Sequence, residues 1–138
     1  MKEFLIFLWQ LPQNFLGLLL ITITKAEMKE RVFEDKVIPY YIAKRFKKYW
    51  SGVSLGRYIV FTKEYFSYNK AVLHEYGHQR QSLYLGWLYL IVIGLPSVTG
   101  NLIDRFAHKT WTYQQRTDWY YKKLIWEKSA DFLGGVIR

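Results

Sequence analysis

From Phe4 to Thr24 the chain carries no charged residue. As one continuous helix this stretch would rise about 30 Å, the thickness of a bilayer core. Gln10, Pro12, Gln13 and Asn14 interrupt its middle, and such residues break, kink or hydrate a spanning helix. The segment therefore reads either as a span or as a re-entrant or interfacial helix pair. No small-residue cleavage site follows it, which argues against a removed signal peptide. Lys25, Lys29 and Arg31 come next, then Lys44, Arg45, Lys47 and Lys48. For a spanning segment that excess puts the rest of the chain on the cytoplasmic side.

Further along, Val37 to Tyr41 suggests a short edge strand, where Pro39 is tolerated. Lys44 to Tyr49 reads as a basic linker or helix end. Arg57 to Thr62 is β-branched and aromatic and follows two glycines, which predicts a strand. The pattern from Asn69 to Leu85 is helical, with Asn69 as N-cap and Gly86 as the residue that stops it. Leu83 to Val98 is again uncharged, and Asn101 to Thr117 is polar. A last helix is predicted from Thr117-Asp118 to Gly134-Gly135. No repeat and no linker divides the chain, so residues 1–138 read as a single domain.

Composition narrows the chemistry. There is no cysteine, which removes disulfides and thiolate metal sites and leaves histidine and carboxylate as possible ligands. The net charge of +9 suits an anionic surface or partner. Six Trp and twelve Tyr among these cations match a membrane–water interface. Membrane lipids are accordingly expected partners. No helix-turn-helix, zinc-finger or RNA-binding signature accompanies the charge, so nucleic acid is not expected.

The informative stretch is His74-Glu75-Tyr76-Gly77-His78, an HExxH. Residues four apart share a helix face, so both imidazoles can reach one metal ion while Glu75 projects beside them toward a water on that ion. Zinc suits imidazole and carboxylate ligands, acidifies its water, and leaves Glu75 to take the proton as the water attacks a carbonyl. Taken alone, the motif is also compatible with two packed helix histidines and a surface carboxylate.

A catalytic zinc needs a third protein ligand. Glu127-Lys128-Ser129-Ala130-Asp131, an ExxAD, lies on the predicted last helix. Glu127 can supply that ligand, and Asp131, on the same face, can accept the Nδ1–H of a ligand histidine, with His74 preferred. His108 is the other candidate for third ligand. HExGH paired with ExxAD resembles the gluzincins, and within them membrane-embedded families such as the CAAX-processing proteases and the heat-shock membrane proteases. The resemblance implies a metallopeptidase: Zn2+ on His74, His78 and Glu127, Glu75 as general base, Asp131 behind a histidine, and a peptide or protein substrate. It covers the two motif helices, with the strand before the first as its widest extent. Those families are longer and richer in membrane helices, so their substrates do not carry over.

Other zincin patterns fit less well. The metzincin extension needs Gly at 81 and His at 84, where this chain has Gln81 and Tyr84. Possible donors to an oxyanion are His108 and Tyr120, with Tyr113, Arg116 and Tyr121 beside them. Tyr58 to Thr62 is either a core strand or a cleft strand whose free edge pairs with an extended peptide. Gly77 suggests close approach of another element, at a cost of about 1 kcal/mol in helix propensity.

The expected fold is α+β and mainly helical: a zincin-like pair of site helices, a small β-sheet, and uncharged membrane-associating helices. The expected function is that of a membrane-associated zinc peptidase with its site on the cytoplasmic side. The alternative is a non-catalytic membrane scaffold or interaction protein that retains a structural metal site.

Overall fold

The computed structural model describes residues 1–46, 50–62 and 68–138. The uncharged N-terminal stretch forms two helices, α1 (Lys2–Trp9) and α2 (Leu11–Thr24), bent by 85° at Gln10. Pro12 stands in the first turn of α2, where a missing N–H costs nothing. The polar residues of the bend turn inward. Gln13 and Asn14 are fully buried, and Asn14 Oδ1 accepts the Arg57 N–H at 2.9 Å.

Four strands follow: β1 (Glu27–Val32), β2 (Val37–Ile42), β3 (Gly52–Leu55) and β4 (Tyr58–Phe61). Their order in the sheet is β1-β2-β4-β3. β1–β2 and β3–β4 are antiparallel, and β2–β4 is parallel. Two expectations are corrected here. β2 is not an edge strand, because β1 pairs with it along its whole length. Pro39 is nevertheless tolerated, since β4 meets β2 only at Tyr41 and Ile42. β4 has no free edge either, because β2 and β3 flank it. The edge beside the helices belongs to β3. The expected linker at 44–49 falls partly outside the described residues.

The sheet's inner face and the first long helix, α3 (Tyr68–Leu85), enclose the core of Ile38, Tyr40, Ile59, Phe61 and Val72. Ile38 and Tyr40 alternate with exposed Val37 and Pro39, the period-two pattern of a half-buried strand. α3 begins at Tyr68, so Asn69 lies in its first turn and is not the cap. Gly86 ends it with a φ of +53°, as the sequence suggests.

A 3-10 turn (Gly86–Leu88) and a π-turn (Leu90–Gly94) lead into α4 (Leu95–Ala107), followed by the short α5 (Tyr113–Thr117). The expected last helix is divided. A π-turn (Asp118–Lys123) ends at Leu124, which is extended (ψ 117°), and α6 (Ile125–Gly134) starts afresh. Leu124 packs close to Gly100 of α4. The result is a mainly helical α+β fold with a small mixed sheet. Among the described residues, one helical stretch, Leu90–Ala107, is long and apolar enough to cross a membrane. α1 and α2 reach that length only together, across their bend.

Candidate metal centre

The site is built where α6 crosses α3. Gly77 makes the crossing close: a Cβ there would stand 1.8 Å from the Ala130 carbonyl oxygen. Gly134 does the same from the other side, 1.9 Å from the Leu73 oxygen. The helices therefore touch backbone to backbone, as the glycine between the two histidines suggests.

This contact brings the halves of the sequence motif together. His74 Nε2 and His78 Nε2 lie 3.1 and 3.2 Å from the same oxygen, Glu127 Oε2. The two rings meet edge to face with centroids 4.8 Å apart. One ligand atom from each of the three residues falls within 4.8 Å of the others, and all three residues are buried. In a tetrahedral site with bonds of about 2.0–2.1 Å, ligand atoms stand roughly 3.3–3.4 Å apart. The two N···O gaps are close to that length. The donor set of two imidazoles and a carboxylate, with a cavity in front, fits a divalent metal.

Each ligand is also held from behind. His74 Nδ1–H donates to Asp131 Oδ1 at 2.7 Å, as the sequence predicts. His78 Nδ1–H donates to Gln81 Oε1 at 2.7 Å, and Gln81 Nε2 donates to the Trp126 carbonyl and Ser129 Oγ on α6. Both rings therefore present Nε2 to the site. Ser97 of α4 donates to the other Glu127 oxygen at 2.5 Å. Arg138 grips Asp131 (Nε to Oδ2, 2.6 Å) and lies 3.8 Å over the Tyr121 ring, which packs edge-on against His74. Gln81 stands three residues from a ligand histidine on its own helix, a spacing that offers a sequence signal. Ser97 has none, for it reaches Glu127 from an element that only the fold brings near, and Tyr121, a candidate donor from the sequence, packs on His74 instead.

The charges follow from this packing. Burial opposes ionisation of Glu127, but the two imidazoles outweigh it and hold the carboxyl well below the usual range. Burial likewise opposes charge on His74, yet Asp131 and Glu127 lift that group to about 9 without a metal. Asp131 is held low, with the His74 and Arg138 bonds overcoming its burial. Glu75 behaves differently. Burial raises its carboxyl, against the pull of His78 and His74. It makes none of the bonds that tie down Glu127, and it faces Gly52 of β3, where a Cβ would come within 3.3 Å of Oε1.

A cavity of about 600 Å³ opens in front of these groups. Its walls are β3, α4 and the π-turns, with Leu16, Val98 and Leu102 on its apolar side. A second hollow meets it at His74 and Glu75 and carries Asp104, Arg116 and Arg138. β3 runs along the first cavity. Ser51 O is taken by the Thr62 N–H, so by strand alternation the Gly52 carbonyl points to the free edge. The Ser54 carbonyl accepts the Tyr89 hydroxyl at 3.2 Å.

The other candidates divide. Tyr120 lines the cavity, and its hydroxyl bonds Ser97 Oγ at 3.2 Å. It arrives there by the π-turn, which Leu124 separates from the helix that carries Glu127. Burial and the Glu127 charge raise the phenol, which keeps it a donor. His108 is stacked on Trp111 at 3.7 Å and bonded to Asp104, outside the group of converging ligands. Arg116 is engaged by Asp104, and Tyr113 is exposed on α5. Comparison of the chain with protein-family models, with curated proteins and with solved structures finds no match.

Proposed function

We propose that the protein is a membrane-associated, zinc-dependent hydrolase of peptide bonds, with a gluzincin-like site. The observation that carries this reading is the convergence of His74 Nε2 and His78 Nε2 on one Glu127 oxygen, with Glu75 beside them at an open cavity and without a hydrogen bond among the described residues. A purely structural metal site closes its coordination with protein atoms, whereas a catalytic one keeps a position open.

His74, His78 and Glu127 would hold the ion, and Asp131, Gln81 and Ser97 orient them. A divalent ion held by these residues would supply Lewis acidity at the site. Glu75 is placed to take a proton from an attacking water, and its raised carboxyl suits it to pass that proton on to the leaving nitrogen. An extended substrate adds to the free edge of β3, where Gly52 leaves room beside Glu75 and offers its carbonyl. Tyr120, kept protonated, is a candidate donor toward an oxyanion. The apolar wall of Leu16, Val98 and Leu102 favours apolar side chains next to the scissile bond.

The test measures zinc content and hydrolysis of a broad peptide set for the wild type and Glu75→Gln. Zinc retained by both with activity lost only in the variant supports the enzyme. Zinc bound by both without hydrolysis by either points to the scaffold, and a chain that binds no zinc ends the proposal.

A further inference from the structure

Many of the exposed apolar residues lie on three helices, with others on β1, β2 and α6. α1 and α2 expose Phe4, Leu5, Trp9, Phe15 and Leu19. α4 exposes Ile103 and Phe106 away from the cavity, as the turn before it does Ile91 and Val92, whereas Leu95, Val98 and Leu102 border the cavity. Its opposite face carries Ser97 and Asp104, which bond Glu127 and Arg116.

Polar groups on these helices are closed off inside the protein. Gln10 and Gln13 donate to Ser82 Oγ at 2.8 and 3.0 Å, and Gln13 also to the Gly86 carbonyl. The hydroxyls of the exposed Thr22 and Thr99 fold back onto the carbonyls of Leu18 and Leu95. Trp9 and Trp87 are half exposed, yet each indole N–H is spent on a backbone carbonyl across the joint, Trp9 on Leu83 and Trp87 on Leu8, both at 2.9 Å. Water would satisfy exposed threonine and indole groups without help, whereas hydrocarbon demands internal partners. The medium that fits this surface is lipid rather than another protein's polar rim.

Charge and length then fix how the surface meets the bilayer. Lys2 opens α1, Lys25 closes α2, and Arg57 sits at the hairpin tip fastened to Asn14. The net charge of +9 favours an anionic headgroup layer. Eight and fourteen residues give helices of about 12 and 21 Å against a hydrocarbon core of about 30 Å. With an 85° bend between them, at most one can follow the membrane normal. α2 along the normal would carry α1, with Lys2 and Glu3, deep into hydrocarbon, where charge is costly.

We propose that the α1–α2 elbow and the outer face of α4 are seated in a single leaflet of an anionic bilayer, with Lys2 and Met28 on the same side of the membrane as the metal centre. The elbow lies along the interface with its bend packed on the protein, and α4 lies there too with its polar face on the site. Ser82, which anchors the elbow, is one turn beyond His78, so the metal centre stands just above the lipid. This rests on the membrane part of the proposed function and is independent of the hydrolysis.

The chain has no cysteine, so the double variant Lys2→Cys/Met28→Cys carries the only two thiols. It is reconstituted in sealed vesicles of phosphatidylcholine with phosphatidylglycerol, exposed to a membrane-impermeant maleimide, and weighed intact. Whichever way each molecule is oriented, seating in one leaflet gives molecules with two labels or none. A majority with one label, the second thiol reacting only after detergent, would place Lys2 across the bilayer and overturn the proposal. Phe15→Asp with Leu19→Asp should fold and weaken vesicle binding by about tenfold or more. If that pair instead breaks up a soluble dimer that never bound vesicles, a second copy covers the face and the proposal fails, while the zinc and peptide assays still judge the hydrolase.

Discussion

Ser97 Oγ and Glu127 Oε1 stand 2.5 Å apart, so the carboxylate that faces both imidazoles with one oxygen is held by α4 with the other. A ligand carboxylate without such a partner is free to rotate. Ser97→Ala should therefore keep the fold and weaken zinc binding by about 10- to 100-fold. Competition with a chromophoric chelator reads this directly, and an unchanged affinity would remove Ser97 from the site.

Gly77→Ala sets two effects against each other. Alanine gains about 1 kcal/mol of helix propensity. Its methyl must also displace the Ala130 backbone, which it would meet at 1.8 Å, and overpacking of that kind costs about 1–3 kcal/mol. The second should win, lowering the melting temperature by several degrees and loosening zinc, since α6 carries Glu127. A variant as stable as the wild type would mean that the helices do not touch here.

Ser82 is fully buried and receives two amide donors from the elbow. In Ser82→Ala, Gln13 keeps the Gly86 carbonyl but Gln10 has no other acceptor among the described bonds. A buried donor left alone costs about 1–3 kcal/mol. Thermal unfolding in one fixed detergent should show that loss, and Ser82→Cys, a weak acceptor, should fall between.

The metal-free protein should have an uneven pH profile. Burial lowers His74, but Asp131 and Glu127 raise it from 6.5 to about 9, so its contribution is full below about pH 6.5 and is lost as pH climbs through 9. Glu127 is depressed, so its contribution is present above about pH 4.5 and is lost on acidification. The metal-free melting temperature should therefore decline between pH 6.5 and 9. Zinc at a hundred times its Kd should add about 2.7 kcal/mol and flatten that decline, because the ion replaces the proton on Nε2. Melts across that range with chelator and with zinc decide it.

How much of this is legible in the sequence depends on the residue. HExxH and ExxAD declare His74, His78, Glu127 and Asp131 because their spacing is helical and their chemistry is narrow. The polar interruption at Gln10–Asn14 declares a bend, though not that those side chains face α3. β1 is hidden: Glu27–Val32 is charged and exposed almost throughout, and only pairing with β2 makes it a strand. The break at Leu124 is hidden too, since leucine favours helix and tertiary packing overrides it. Ser97 acts on Glu127 across a long sequence separation, which no periodicity encodes.

The contact of Gly77 and Gly134 with the facing backbone has a consequence for how the molecule can change. A spacing set by side chains can be tuned by exchanging them, but one set by two backbones in touch has a hard stop. The glycines act as a gauge block between the helices, and the width of the metal centre is the width of that block. Sheet, elbow and turns can vary in length and composition around it, provided the two helices still close to the same stop.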